Sequence, residues 1–434
     1  MLKIYELNSL PESEVDKLCI RTADNNIAVQ DTVNEIISEV RTHGDSALRS
    51  FARRFDQVDI EQLWIGKDEL KELAASVPDF QKEALDIAYK NIHNFHLSQV
   101  IKEDVIETMP GVSCWRDNRP IEKVGLYIPG GTAVLPSTFL MLGIPARIAG
   151  CHEIVVCSPP QKDGKVNPYL AYCAVLLQID KIYLVGGAQA VAAMAYGTET
   201  ITKVDKIYGP GNQYVTAAKT IIQSNTKTSI DMPAGPSEVL IIADDTSNPV
   251  FVAADLAAQA EHGVDSQVVL VATSTKIIYS VLQELGEQIA ILPRAEIALK
   301  ALENSYSVVV DSLSDAIEFS NRYAPEHLII ATSGWEQLID SVLNAGSVFL
   351  GNNTPESAGD YASGTNHTLP TSGYAKSYSG VSVDSFVKKI TFQHLSENGL
   401  QKLGPTVEIL AELEGLQAHK NAVTVRLQNT LTRF

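Results

Sequence analysis

The sequence predicts an α/β protein: two tandem α/β/α domains with parallel sheets, a helical N-terminal part and a small helical C-terminal tail. Three observations predict it. The 434 residues are too many for one average core, so two or more domains are expected. From about residue 121, short β-branched runs alternate with helix-like stretches, which is the grammar of βαβ units. That alternation occurs twice, and the Pro- and Gly-containing stretch MPAGPSE (232–238) separates the two sets.

Taken in order, residues 1–24 form an N-terminal arm. Its opening, MLKIYELNSLPESEVDKL, carries acidic residues where a secretory signal needs an apolar run. Residues 30–110 read as helical, because DTVNEIISEVRTHGDSALRSFARRF and PDFQKEALDIAYKNIHNFHLSQV place apolar residues at helical spacing. Asp79 after Pro78 is a start signal for the second of these. KVGLYIP, CHEIVVCSP, DKIYLVG and VDKIYGP supply the strands of one α/β unit. SEVLIIADD, DSQVVLVATS, SYSVVVDS, EHLIIATS and AGSVFLGN supply those of the other. After about 381 the alternation stops, leaving a helical tail with one break at Gly404-Pro405. So small a tail has little core of its own and is expected to pack on another surface, in this chain or a partner's.

Hydrophobic residues at 45% and charged residues at 20% describe an ordinary soluble globular protein. A net charge of -18 argues against nucleic acid as a partner, since phosphates would repel it. The five cysteines form no C-x-x-C pair and no zinc-finger spacing, which fits reduced thiols better than a disulfide framework. No apolar run reaches the ~20 residues of a membrane span. The best stretch, 134–150, is interrupted by Pro136, Pro145 and Arg147. A cytoplasmic location without membrane partners is expected.

No G-x-G-x-x-G follows a predicted strand, so the α/β units are Rossmann-like but incomplete. Gly130-Gly131, Gly186-Gly187 and Gly209-Pro210-Gly211 instead close strands of the first set. Such loops let a phosphate approach N–H groups at a helix N-terminus, although ordinary tight turns explain them too. The C-terminal half holds the polar residues that carry chemistry. Gln259 and His262 are three apart on a probable helix and so share a face, though a lone buried His is also a common core residue. Asp360 lies in a loop rich in Gly, Ser and Asn, where a carboxylate ligands a metal or caps a turn. His419 reads as a ligand or as part of a solvated helix face. Glu326 and His327 are adjacent and would point to opposite faces of a strand. They can cooperate only on an irregular stretch after Pro325, at the opposite end from the usual functional edge of a parallel sheet. Together these side chains suit a metal-assisted enzyme with a general base. A zinc hydrolase would use the same set without a nucleotide. A thiol-dependent aldehyde dehydrogenase would need Cys114, Cys151 or Cys157, which lie far from the polar segments. A two-lobed binding protein is a third alternative.

The blocks GLYIPGGTAVLPSTFL (125–140), GGAQA (186–190), DKIYGPGN (205–212), DMPAGPSE (231–238), AQAEHGVDSQ (258–267), PEHLII (325–330) and PESAGDYASGTNHTLP (355–370) resemble histidinol dehydrogenase, over nearly the whole chain. The resemblance implies a four-electron oxidation of L-histidinol to L-histidine with two NAD⁺. It implies an NAD site at Tyr127, Gln189 and Asn212, and one Zn²⁺ per subunit on Gln259, His262, Asp360 and His419. His327 would be the general base and Glu326 would activate water. Substrate contacts would come from Ser237 and Glu414 together with His327 and the metal ligands, Glu414 pairing with the ammonium. His367 would line or support the site. The implied protein is a homodimer whose tail, 382–434, crosses to the other subunit. Residues 25–126 and 237–381 would form a metal- and substrate-side domain, and 127–236 an NAD-side domain.

Overall fold

The computed structural model describes residues 2–21, 27–130, 134–233 and 235–431. They divide into a larger unit, residues 1–99 with 121–386, and a smaller one, residues 100–120 with 387–434.

The larger unit contains two six-stranded sheets. In the first the spatial order is Lys3–Glu6, Tyr306–Val309, Gln267–Ala272, Glu238–Ala243, His327–Ile330 and Ser347–Leu350, every neighbouring pair parallel. In the second it is Trp64–Gly66, Lys181–Leu184, Glu153–Ser158, Lys123–Tyr127, Lys206–Tyr208 and Ser229–Ile230. There only Trp64–Gly66 runs antiparallel, at the edge. The expected α/β class and parallel sheets are therefore present. Glu238–Ala243 is buried along its whole length. A strand covered on both faces needs a continuous apolar run rather than alternation, and VLIIA and QVVLVA are such runs. The helix Pro249–Ala260 starts where Asn248 accepts from the Val250 N–H and proline occupies the first turn, a common N-terminal pairing.

Four element expectations differ from the structure. Within the larger unit, the strands of residues 25–126 lie in the second sheet, not in the sheet formed by 237–381. Ile27–Phe51 joins Val155, Tyr183 and the helix Gly187–Tyr196 in one core, and Trp64–Gly66 and Lys123–Tyr127 are strands of the second sheet. The N-terminal arm is what joins the first sheet, through Lys3–Glu6 at its edge. Helical periodicity shows that a helix has an apolar face, and says nothing about which sheet that face covers. Next, residues 100–120 are not helical. Ile106–Met109 and Val112–Pro120 are antiparallel strands. The tail, in turn, opens with a nine-residue strand, Val387–Leu395, paired to Val112–Pro120 from Val387↔Pro120 to Leu395↔Val112. Trp115 stacks on Phe392 across this pair with centroids 5.4 Å apart.

The tail's break is also displaced. Glu397–Leu413 is one helix through Pro405, and the turn before Gln417–Leu431 comes at Gly415, whose φ is 71°. Gly404 explains why the helix keeps a residue that could have ended it. A Cβ there would lie 3.0 Å from Leu427, so the glycine sets how closely the two helices approach.

Candidate active site

Both sheets place polar residues at their strand ends, but at opposite edges. In the second sheet these lie at the carboxyl edge, as open α/β sheets usually arrange. Tyr127 ends its strand buried, and its hydroxyl accepts from the Gly187 N–H at 3.2 Å. Gly187 has φ 62° and opens the helix that carries buried Gln189. Gly209, at φ 129°, passes so close to Tyr127 that a Cβ would sit 2.1 Å from its carbonyl oxygen. Asn212 caps the next helix, accepting from the Tyr214 and Val215 N–H groups at 3.0 and 3.2 Å. That leaves the amide nitrogen of Asn212 free to donate elsewhere. Beneath this edge, Lys219 donates to the Gly209 carbonyl at 2.9 Å and pairs with Asp231 at 2.5 Å. Asp231 accepts in turn from the Gly209 N–H at 2.9 Å. Tyr127, Gln189 and Asn212 thus share one edge, where helix N-termini present N–H groups suited to phosphate. Gly130 belongs to the same edge, and Gly131 lies outside the described residues.

In the first sheet the polar cluster lies at the amino edge. His327 is the first residue of its strand and pairs with Val239, so Glu326 and Glu238 come just before this ladder, while Glu238 pairs with Gln267 on its other side. This is the irregular stretch on which adjacent Glu326 and His327 can work together. His327 Nδ1 is 3.2 Å from the Glu238 carbonyl oxygen, which can only accept, so Nδ1 carries a proton. Nδ1 also lies 3.7 Å from Glu326 and 3.7 Å from Glu356, and Nε2 is 3.4 Å from Asp360 Oδ1. Glu326 accepts from the Glu238 N–H at 2.9 Å. Ser237 directly precedes this pair of contacts.

Helix ends supply the other face of the cluster. Gln259 is fully buried near the end of Pro249–Ala260. The helix stops at Ala260, so His262 does not extend its face as the spacing implied. A turn from the His262 N–H to the Gln259 carbonyl, 3.3 Å, places it instead. Glu356 and Asp360 are four apart on the short helix Glu356–Tyr361 and share its inner side. Ligand atoms of His262, Glu356 and Asp360 all lie within 4.8 Å of one another. Asp360 is itself braced by His367, whose Nδ1 is 2.8 Å from the Asp360 carbonyl. His367 Nε2 then accepts from the Thr138 hydroxyl at 3.0 Å. Thr138 opens the helix Pro136–Ala149 that follows Tyr127, so this bond ties one sheet's carboxyl edge to the other's amino edge.

The electrostatics are those of crowded carboxylates. Burial pushes Glu326 up to about 7 and Glu356 up to about 8, against the opposing pull of His327. Burial alone would lower His327, but Glu356, Glu326 and Asp360 outweigh it and hold the imidazole well above its usual range. Asp360 resists burial through its contacts with His327 and stays below the ordinary carboxylate value.

A divalent cation fits these residues. Asp360 Oδ1, Glu356 Oε2 and His327 Nε2 are buried without a hydrogen-bond partner. The Gln259 amide is satisfied within the cluster: with its nitrogen toward Glu356 it donates at 2.5 Å, and its oxygen then accepts from the Glu238 N–H at 3.1 Å. The structure brings together Gln259, His262 and Asp360, all candidates from the sequence, and adds Glu356, whose signal was its four-residue spacing from Asp360. It also adds Glu238, hidden in an apolar strand. Ser237 precedes Glu238 at this edge, and His367 contacts the Asp360 carbonyl. Glu414 and His419 belong to the smaller unit, where both are exposed.

The family model for histidinol dehydrogenase matches residues 20–427. Histidinol dehydrogenase of Bacteroides thetaiotaomicron is 55% identical over 99% of this chain and all of its own length. The chloroplastic histidinol dehydrogenase of Arabidopsis thaliana is 53% identical over 99% of this chain and 92% of its own. The crystal structure of histidinol dehydrogenase from Elizabethkingia anophelis superposes with a TM-score of 0.95 at 51% identity, covering 99% of this chain and 98% of that one. Sequence and fold agree over essentially the full length, and the chain belongs to the histidinol dehydrogenase family.

Proposed function

We propose that the cluster around His327 is where this chain carries out its family's reaction, the NAD-dependent oxidation of L-histidinol to L-histidine that ends histidine biosynthesis. The observation that carries the assignment is one buried imidazole bordered by Glu326, Glu356 and Asp360 beside the exposed His262. With Nδ1 held by the Glu238 carbonyl, Nε2 is the nitrogen left to take the hydroxyl proton as hydride leaves to NAD⁺, once a bound cation offsets the carboxylates that otherwise keep the imidazole protonated. The aldehyde then takes up water, and Glu326 removes the water proton. A carboxyl held near neutrality suits that task. The hydrate gives a second hydride to a second NAD⁺, which completes the carboxylate. Tyr127, Gln189 and Asn212 line the edge that would hold NAD.

Gln259, His262, Asp360 and His419 would hold one Zn²⁺, which supplies an anchor for the substrate's imidazole and amino nitrogens and a charge that offsets the carboxylates around His327. All four are N or O donors, so Mn²⁺ and Co²⁺ suit the set as well. Holding the aldehyde through both steps requires several anchors, and Ser237 and Glu414 complete them. Glu414 and His419 would come from a partner's tail in a homodimer. The smaller unit exposes Ile101, Ile106, Ile409 and Leu413, apolar surface of the kind a partner covers. We also place the enzyme in the cytoplasm, where its five free cysteines stay reduced. Among the described residues no helix is long and apolar enough to cross a membrane.

Absorbance of NADH tests the reading. Two NADH per L-histidinol, lost on chelation and restored by Zn²⁺, is the expected result. No NADH from folded, metal-loaded protein would return the site to nucleotide-free hydrolysis.

A further inference from the structure

We infer that Arg21, acting through Glu238, is a positioning residue for both His327 and Glu326; the inference rests on their proposed roles. Glu238 is fully buried and works from both its backbone and its side chain. Its carbonyl accepts from His327 Nδ1 at 3.2 Å, and its N–H donates to Glu326 at 2.9 Å. One residue's main chain therefore aims the base and the water-activating carboxylate together. Its side chain points into a separate network. Oε2 pairs with Arg21 Nη1 at 2.6 Å, and Oε1 accepts from the Ser372 N–H at 2.9 Å. Arg21 is 10% exposed and also reaches the Tyr323 hydroxyl at 3.3 Å and the Asp265 carbonyl at 3.4 Å. The Tyr323 hydroxyl donates to Gln267 at 2.7 Å and lies 3.4 Å from Glu238.

The pair anchors the point where the strand begins. On the side facing His327 no ladder pair precedes Val239, so the aim of the Glu238 N–H and carbonyl there depends on the side-chain anchors. On the other side Glu238 pairs with Gln267, whose N–H donates to the Ser237 carbonyl at 3.2 Å. Without Arg21 the carboxylate would be a buried charge short of its counterion and would shift toward water. The two backbone bonds would move with it. Displacement of a catalytic group by about 1 Å costs on the order of 100-fold in rate. The arginine belongs to the N-terminal arm, far from these residues in sequence and absent from the candidates drawn from sequence alone. Its planar fork can meet Glu238, Tyr323 and Asp265 at once, which a lysine ammonium can do only in part.

The test measures turnover per bound zinc, KM for NAD⁺ and thermal stability in Arg21→Met, Arg21→Lys, the double variant Arg21→Met/Glu238→Gln, and His327→Asn. Arg21→Met is expected to lose about 10- to 100-fold in kcat, with KM for NAD⁺ within about twofold. Arg21→Lys should recover part of that loss. The double variant removes both charges and should regain thermal stability while its kcat stays low. Unchanged turnover per zinc in Arg21→Met overturns the inference, and so does a kcat in the double variant that returns together with stability. His327→Asn separates the two levels. If it remains active, the role of His327 itself is wrong, whatever the Arg21 variants do.

Discussion

At the scale of single residues, the site is an imidazole pressed among acids, and the sequence exposed only part of it. Glu326, His327, Gln259, His262 and Asp360 stood out because polar residues interrupt otherwise apolar or glycine-rich text. Glu356 and Glu238 did not, since an acid at a helix start or strand edge is ordinary in a sequence, and only burial reveals the role. His327→Asn should abolish measurable turnover with L-histidinol while zinc content survives, because Asn preserves polarity but cannot accept the proton. Loss of zinc with activity intact would sink the assignment. Glu356→Gln makes a different prediction. Its carboxyl sits within 4.8 Å of the His262 and Asp360 donor atoms and contacts Gln259. Residues that orient metal ligands typically contribute 10- to 100-fold in affinity, so zinc should be lost at about tenfold lower chelator concentration. An unchanged chelator titration would show that Glu356 neither holds nor orients the metal.

At the scale of elements, the strands were legible because a buried parallel strand is a continuous apolar run, and VLIIA or QVVLVA can be little else. The strand Val387–Leu395 was not legible. It reads VKKITFQHL, has no buried residue, and owes its conformation to pairing with Val112–Pro120 rather than to its own pattern. The choice of edge was equally hidden, since a sequence orders strands without saying which end of a sheet a neighbour will cover. The glycine loop at Gly209 belongs to the edge proposed to hold NAD. Lys219 and Asp231, at 5% and 1% exposure, grip both the N–H and the carbonyl of Gly209. Lys219→Met strands Asp231 as a buried charge and should cost about 3–5 kcal/mol of stability. Because the loop packs on Tyr127, KM for NAD⁺ should rise while kcat changes little, readable in initial rates at varied NAD⁺. An effect confined to KM for L-histidinol would place the loop on the substrate side instead.

At the scale of the whole molecule, stability and catalysis depend on groups far from one another in the chain. Burial raises Asp56 from 3.8 to about 6, so the native state holds a proton there that the unfolded chain releases. That contribution is present in full below pH 3.8 and fades as pH rises through about 6. Asp56→Asn should therefore raise the melting temperature at pH 7 more than at pH 5, and a gap that does not grow with pH would show that Asp56 titrates normally. The assembly makes the sharper prediction. If each site takes His327 from one subunit and His419 from its partner, two inactive variants can complement each other. Co-expressed His327→Asn and His419→Ala chains form hybrid dimers in which one site collects both defects and the other collects neither. Random pairing makes half of the dimers hybrid, so about a quarter of all sites should work. If each subunit builds its own site, every site in the mixture carries one defect and activity stays at background. Purified hybrids, separated by two affinity tags and assayed for NADH per dimer, decide between the two: one working site means the tail crosses, and none means that His419 serves its own chain.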